Sequence, residues 1–152
     1  MPICAALLRG SEPLVDPSIL LRRMSVIRHC LERLSSKEVL SEQEFLVDAD
    51  AQDVVLRNLQ VGVQAALDIA LHVVRDENWQ LPGASTGTFD ILAQRNVISQ
   101  DLADRLRLAV QMRTLLVHAY EAIDMRRVFR AYRDSAQDLD LFGKAIAQYF
   151  RL

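Results

Sequence analysis

The feature that most constrains this chain is one long helical pattern near its middle. Val54, Val55, Leu59, Val63, Leu67, Leu71 and Val74 recur at intervals of about one helical turn. Acidic residues between Asp48 and Asp53 precede the pattern and Arg75 closes it, the polarity that a helix macrodipole favours. An apolar helix running from about 48 to 75 needs other elements to cover it, and the rest of the chain offers helices. Asp16-Pro17-Ser18 supplies capping side chains and a first-turn proline. Behind it, Leu20, Met24, Ile27, Leu31 and Leu34 keep helical spacing until Ser35-Ser36 loosens the chain. Pro82, Gly83 and Gly87 break the pattern. A short helix then fits Thr88 to Arg95, with Asn96 suited to the left-handed turn that ends it. Ser99 can cap the next helix, and beyond Asp124 the stretches MRRVFRAYRD and DLFGKAIAQYF read as two final helical pieces. No convincing strand intervenes. The expected fold is all-α, an antiparallel bundle of five to six helices.

At 152 residues, with no repeat and no dividing linker, the chain is sized for one domain. Residues 1–14 precede the first cap, contain two prolines and a glycine, and read as a poorly ordered extension to a domain spanning 15–152. Half the residues are hydrophobic, yet no uninterrupted apolar run approaches the roughly 20 residues of a membrane span, and the first residues lack the pattern of a secretory signal. Cys4 and Cys30 make neither a disulfide framework nor a metal set, so a reducing cytoplasm is expected. Net charge is −2, against a protein that coats nucleic acid by bulk electrostatics. All the basic residues except Lys37 and Lys144 are arginine, the better fork for phosphate.

Chemistry concentrates in RTLLVHAY, residues 113–120. Upstream, Leu102, Leu106, Ala109, Leu116 and Tyr120 form an apolar stripe on which Arg113 falls, while Leu108, Met112 and Leu115 cover much of the remaining surface. A helix apolar nearly all round is expected to be buried. A guanidinium there needs a partner, and Asp68, in ALDIAL, or another acid is expected to supply it. His29 and His72 are isolated, and no phosphate-binding glycine loop, nucleophile elbow or zinc-helix motif appears, so neither a cofactor nor a metal is expected. Arg113 can hold a phosphate and offset the charge that develops in phosphoryl transfer. His118 can take a proton from a ribose 2′-hydroxyl or return one to the leaving oxygen. Five positions separate the two by about 140° on a regular helix. They share a site only if the helix loosens near His118, if the arginine leans across, or if two copies pack across a two-fold axis. The competing reading is a paired arginine, a satisfied histidine and a core tyrosine.

The spacing Arg113, His118, Tyr120 with a following acid at Asp124 resembles the motif of the HepT-like toxins in the HEPN ribonuclease superfamily. The likeness extends to LRNLQVGVQAALDIALHVV (56–74), FDILAQRNVIS (89–99) and LFGKAIAQYF (141–150), and so to most of the chain. The resemblance implies a homodimeric helical bundle with both motifs in one cleft, acting as a metal-independent endoribonuclease toxin. It implies a minimal nucleotidyltransferase antitoxin as partner, RNA as substrate and no role for DNA. By position, Arg113 would bind the scissile phosphate, His118 would be the general acid or base, and Tyr120 the adenylylation site, with Asp68 and Asp124 as candidate orienting acids. The family usually carries asparagine where this chain has Thr114, which keeps a hydroxyl but loses the amide's reach.

Arg126, Arg127, Arg130 and Arg133 follow the motif, with 126, 130 and 133 on one helical face. They read either as a solvated face or as contacts to RNA backbone or to an antitoxin. A catalytically silent helical dimer, binding nucleotide or protein, is the alternative function.

Overall fold

The computed structural model describes residues 12–80, 87–118 and 120–152, and these are helical throughout apart from turns and connections. The elements are α1 (Pro17–Ser35), α2 (Glu42–Val47), α3 (Ala49–Asp76), α4 (Thr88–Gln94), α5 (Gln100–His118), a 3-10 turn (Tyr120–Ala122) and α6 (Met125–Phe150). No strand occurs among the described residues.

Local chemistry explains most boundaries. Asp16 accepts hydrogen bonds from the Ser18 hydroxyl and backbone N–H, which starts α1 behind Pro17 and holds the Asp16 carboxyl below its ordinary range. Asp48 accepts from the Ala51 N–H at 2.9 Å to start α3. Asn96 ends the α4 segment with φ 59°, the expected left-handed turn. The Ser99 hydroxyl accepts from the Leu102 N–H at 3.1 Å at the start of α5.

Two expectations need correction. The connection after α1 holds a helix the periodicity did not reveal, α2, started by a capping box in which Ser41 and Glu44 satisfy each other's backbone N–H groups. The final region is also one 26-residue helix rather than two pieces. The residues between the two expected pieces, 135–139, continue the helix: Ala136 packs against one core cluster and Asp138 bonds to α5.

The core lies around α3, which packs against all five other α-helices. By length and hydropathy α3 could cross a membrane, but 13 of its residues are buried inside the bundle. Its neighbours α1 and α6 both come close at Gly62, where a built Cβ would lie 2.8 Å from Leu139 Cδ1 and 3.5 Å from Cys30 Cβ. Cys30 is buried there, and desolvation pushes its thiol above its ordinary value. The larger core cluster includes Ile69, Phe89, Leu106, Phe142 and Ile146; the smaller gathers Leu34, Phe45, Leu56, Leu116 and Tyr132. The proposed extension falls mainly on residues 1–11, outside the described residues, as do Pro82 and Gly83. The Leu14 and Val15 N–H groups donate to Glu77 Oε1 at 2.7 and 3.0 Å, fastening the start of the domain to the end of α3.

Candidate active site

The motif helix α5 is held along its first half. Leu102, Ala103, Leu106, Ala109 and Val110 enter the larger core cluster. Two arginines then fix its position from outside. Arg105 Nε donates to Asp138 on α6 at 2.8 Å and its Nη1 to Asp101. The paired carboxylates, Asp138 first, hold this guanidinium's pKa above its ordinary value. Arg107 donates to Asp90 on α4 and to Asp104, both at 2.9 Å. Neither role was readable from local sequence, because each guanidinium joins an acid beside it to one on another helix.

Beyond Val110 the helix is less covered. Leu116 enters the smaller cluster and Met112 packs against it, whereas Leu108, Leu115 and Val117 are 63%, 64% and 50% exposed. The expectation of a fully buried helix is therefore overturned: α5 packs on α3, α4 and α6. No described helix covers its opposite face.

Arg113 is half-buried and lines a cleft of about 370 Å³ bounded by α1, α3 and α5. Its Nε–H is buried with no hydrogen-bond partner among the described residues. Asp68 lines the same cleft but does not pair with Arg113. Its carboxylate instead accepts from Gln64 Nε2 at 2.7 Å and lies 3.8 Å from Arg23 Nη1. The reason is position: Gln64 lies one helical turn before Asp68 on α3, and Arg23 reaches in from α1. Thr114 is exposed, and its hydroxyl donates to the Val110 carbonyl at 3.1 Å, so its proton is committed to the helix.

His118 is exposed and is the last residue of α5. The helix is continuous from Arg113 to His118, so no loosening between them brings the two side chains onto one face. The Tyr120 backbone opens the 3-10 turn that follows; its side chain lies outside the described residues. Asp124 caps α6 by accepting from the Arg126 N–H at 3.0 Å, and its other oxygen is 3.9 Å from Arg127 Nε. Its described contacts orient a helix start, not a motif side chain.

The basic cluster divides. Arg126 and Arg130 both reach Glu42 on α2, at 3.8 and 3.4 Å. Arg133 donates to the Glu38 carbonyl at 2.7 Å and lies over the Phe129 and Tyr132 rings. Arg127 is 90% exposed. The shared face is thus turned toward the segment that carries α2. Of the other histidines, His29 is exposed and His72 lies 3.2 Å from Asp76. Among the described residues, no three His, Cys, Asp or Glu side chains converge as metal ligands would.

A helical bundle with an Arg-X4-His-X-Tyr segment leaving its motif helix defines a narrow class. The model of one family, Ribonuclease HepT-like, matches residues 27–146, and the chain belongs to that family. It is 31% identical over 125 residues to the mRNA nuclease HepT of Shewanella oneidensis, an alignment covering 82% of this chain and 92% of the relative. It is 27% identical over 135 residues to the tRNA nuclease HepT of Aphanizomenon flos-aquae, covering 89% and 92%. Among solved structures, it superposes with a TM-score of 0.79 on the tri-AMPylated Shewanella oneidensis HEPN toxin in complex with MNT antitoxin. Identity there is 29%, with 88% of this chain and 99% of the other covered. A toxin–antitoxin complex with AMP-PNP gives the same TM-score and identity, with 86% and 98% covered. The sequence-based family expectation and the all-helical fold therefore stand.

Proposed function

We propose that this chain is the toxin of a toxin–antitoxin pair: a cytoplasmic, metal-independent endoribonuclease working through Arg113 and His118. The observation that carries the assignment to these residues is their placement in a family member. A half-buried arginine with an unpartnered N–H lines a cleft, and an exposed histidine ends the same helix. Separated around that helix, they act together across a two-fold. A second copy covers the exposed Leu108–Leu115 face and brings its motif beside the first.

In the paired site one His118 imidazole takes the ribose 2′-hydroxyl proton, and the 2′-oxygen attacks phosphorus. The bond to the 5′-oxygen breaks, and that oxygen receives a proton from the other copy's imidazolium, leaving a 2′,3′-cyclic phosphate. Arg113 stabilises the charge gathering on the phosphoryl oxygens, the work a divalent cation does elsewhere. Control follows from Tyr120, two residues beyond His118, where the motif helix ends. Transfer of AMP to its hydroxyl by a minimal nucleotidyltransferase antitoxin adds a negative phosphate where substrate phosphate binds. The AMPylated Shewanella toxin bound to its MNT antitoxin supports this reading. Arg127, the most exposed member of its cluster, is the first candidate there for RNA or antitoxin contact.

The test compares cleavage of total cellular RNA in EDTA by the wild type and by His118→Ala, with Tyr120 shown by mass to be unmodified. Wild-type cleavage is expected to survive chelation, and the variant should lose about 10²-fold or more. Absence of cleavage by both folded proteins would establish the silent interaction module instead, with Thr114 the first residue to exchange for asparagine.

A further inference from the structure

The cleft beside Arg113 continues past the residue assigned to the scissile phosphate. Its α3 wall carries Arg57, Gln60, Gln64 and Asp68, a polar stripe at helical spacing on a core helix. Val26, Val61, Ala65 and Val117 supply apolar surface between the polar groups. Arg57 and Gln60, with Asp53 and Leu56, also line a second depression, of about 230 Å³, beside the first. From Arg57 to Asp68 the stripe runs roughly 16 Å along the helix, longer than one phosphate requires.

Its charge and hydrogen bonding are specific. Arg23, Arg57 and Arg113 line the cleft against one carboxylate, Asp68, in a chain whose net charge is negative. Arg23 lies near Asp68, whereas Arg57 is exposed. Gln64 directs its amide N–H2 to Asp68, so the nitrogen and oxygen positions follow from the partner. Its carbonyl oxygen is left to accept.

We infer that this cleft is the subsite for the nucleotide next to the scissile bond: Arg57 holds its phosphate, and the Gln64 carbonyl accepts from its base. The base lies against the valine surface, as bases do on apolar walls in single-stranded recognition. An accepting oxygen favours bases with an exocyclic amino group, adenine, cytosine or guanine. Uracil offers only its ring N3–H, set between two carbonyl oxygens that repel an accepting oxygen, and is disfavoured. This inference rests on the ribonuclease reading and adds positioning and specificity residues to it.

The experiment measures binding by fluorescence anisotropy to single-stranded 2′-O-methyl hexamers of A, C and U, whose blocked 2′-oxygen prevents cleavage. Arg57→Ala should weaken binding about 10-fold at low salt and reduce the salt slope by about 0.7, the share of one phosphate contact. Arg57→Lys, keeping the charge, should recover part of the loss. Wild type should bind the A and C hexamers several-fold more tightly than U, and Gln64→Leu should remove that difference. Melting temperatures report the fold of each variant. Wild-type affinity and salt slope in Arg57→Ala, or an unchanged base preference in Gln64→Leu, would overturn the subsite while wild-type cleavage left the ribonuclease reading intact. Loss of antitoxin capture with RNA binding unchanged would overturn it in favour of a protein-docking surface. A wild type that neither binds nor cleaves RNA would overturn both readings.

Discussion

Gly62 and Gly143 occupy helix interiors and have opposite surroundings. At Gly62 a methyl group would meet Leu139, itself 1% exposed within the larger cluster and so hemmed in by its neighbours. At Gly143 a methyl group would meet nothing within 4 Å. Gly62→Ala should therefore destabilise the protein by about 1–3 kcal/mol through overpacking. Gly143→Ala should stabilise it by about 0.5–1 kcal/mol through helix propensity. Chemical denaturation of both variants checks the pair, and equal effects would contradict the described packing. At this scale the motif was legible, because Arg113, His118 and Tyr120 are recognised by type and spacing. That Asp68 would not pair with Arg113 was not. Asp68 was identified as a polar intrusion on an apolar helix, but Gln64 and Arg23 take its oxygens, and such competition is decided in space.

Among the elements, helix starts written in capping side chains could be read directly, as at Asp16 and Ser99. The short α2 carried a readable signal too, since Ser41 and Glu44 have capping-box spacing. Its six residues gave periodicity too little length to register. The continuity of α6 was illegible for another reason: the polar residues between its two expected pieces include Asp138, whose partner Arg105 lies on another helix. That contact joins α6 to α5 with an aspartate whose side chain is only 13% exposed. A double-mutant cycle with Arg105→Ala and Asp138→Ala should give a coupling of about 1 kcal/mol, moderated because the arginine is partly solvated. Additive losses in thermal unfolding would show that the pair does not act as a unit. Arg107 does the same toward α4, so the motif helix is positioned by charge as well as by its apolar side.

For the whole molecule, the unshared surface is the uncovered side of α5. Leu108 and Leu115 lie there about two turns apart, on a helix whose other side is already packed. Leu115→Glu should leave the bundle folded, since the residue has no place in either core cluster. It should also convert the proposed dimer to a monomer and abolish RNA cleavage. Analytical ultracentrifugation beside the cleavage assay checks this, and a fully active monomer would contradict it. Periodicity alone placed both leucines inside, because an apolar residue covered by another copy looks the same in sequence as one covered by its own chain.

The unbroken turns of α5 between Arg113 and His118 have a consequence for dosage. On the proposed mechanism, with the arginine and histidine on different sides of one helix, a single chain carries two halves of a site but no whole one. Below the dissociation constant of the proposed pair, assembled sites accumulate as the square of chain concentration. Halving the amount of toxin then removes about three-quarters of its cutting capacity. A few chains escaping their antitoxin would do little harm, while a sustained excess would become damaging abruptly.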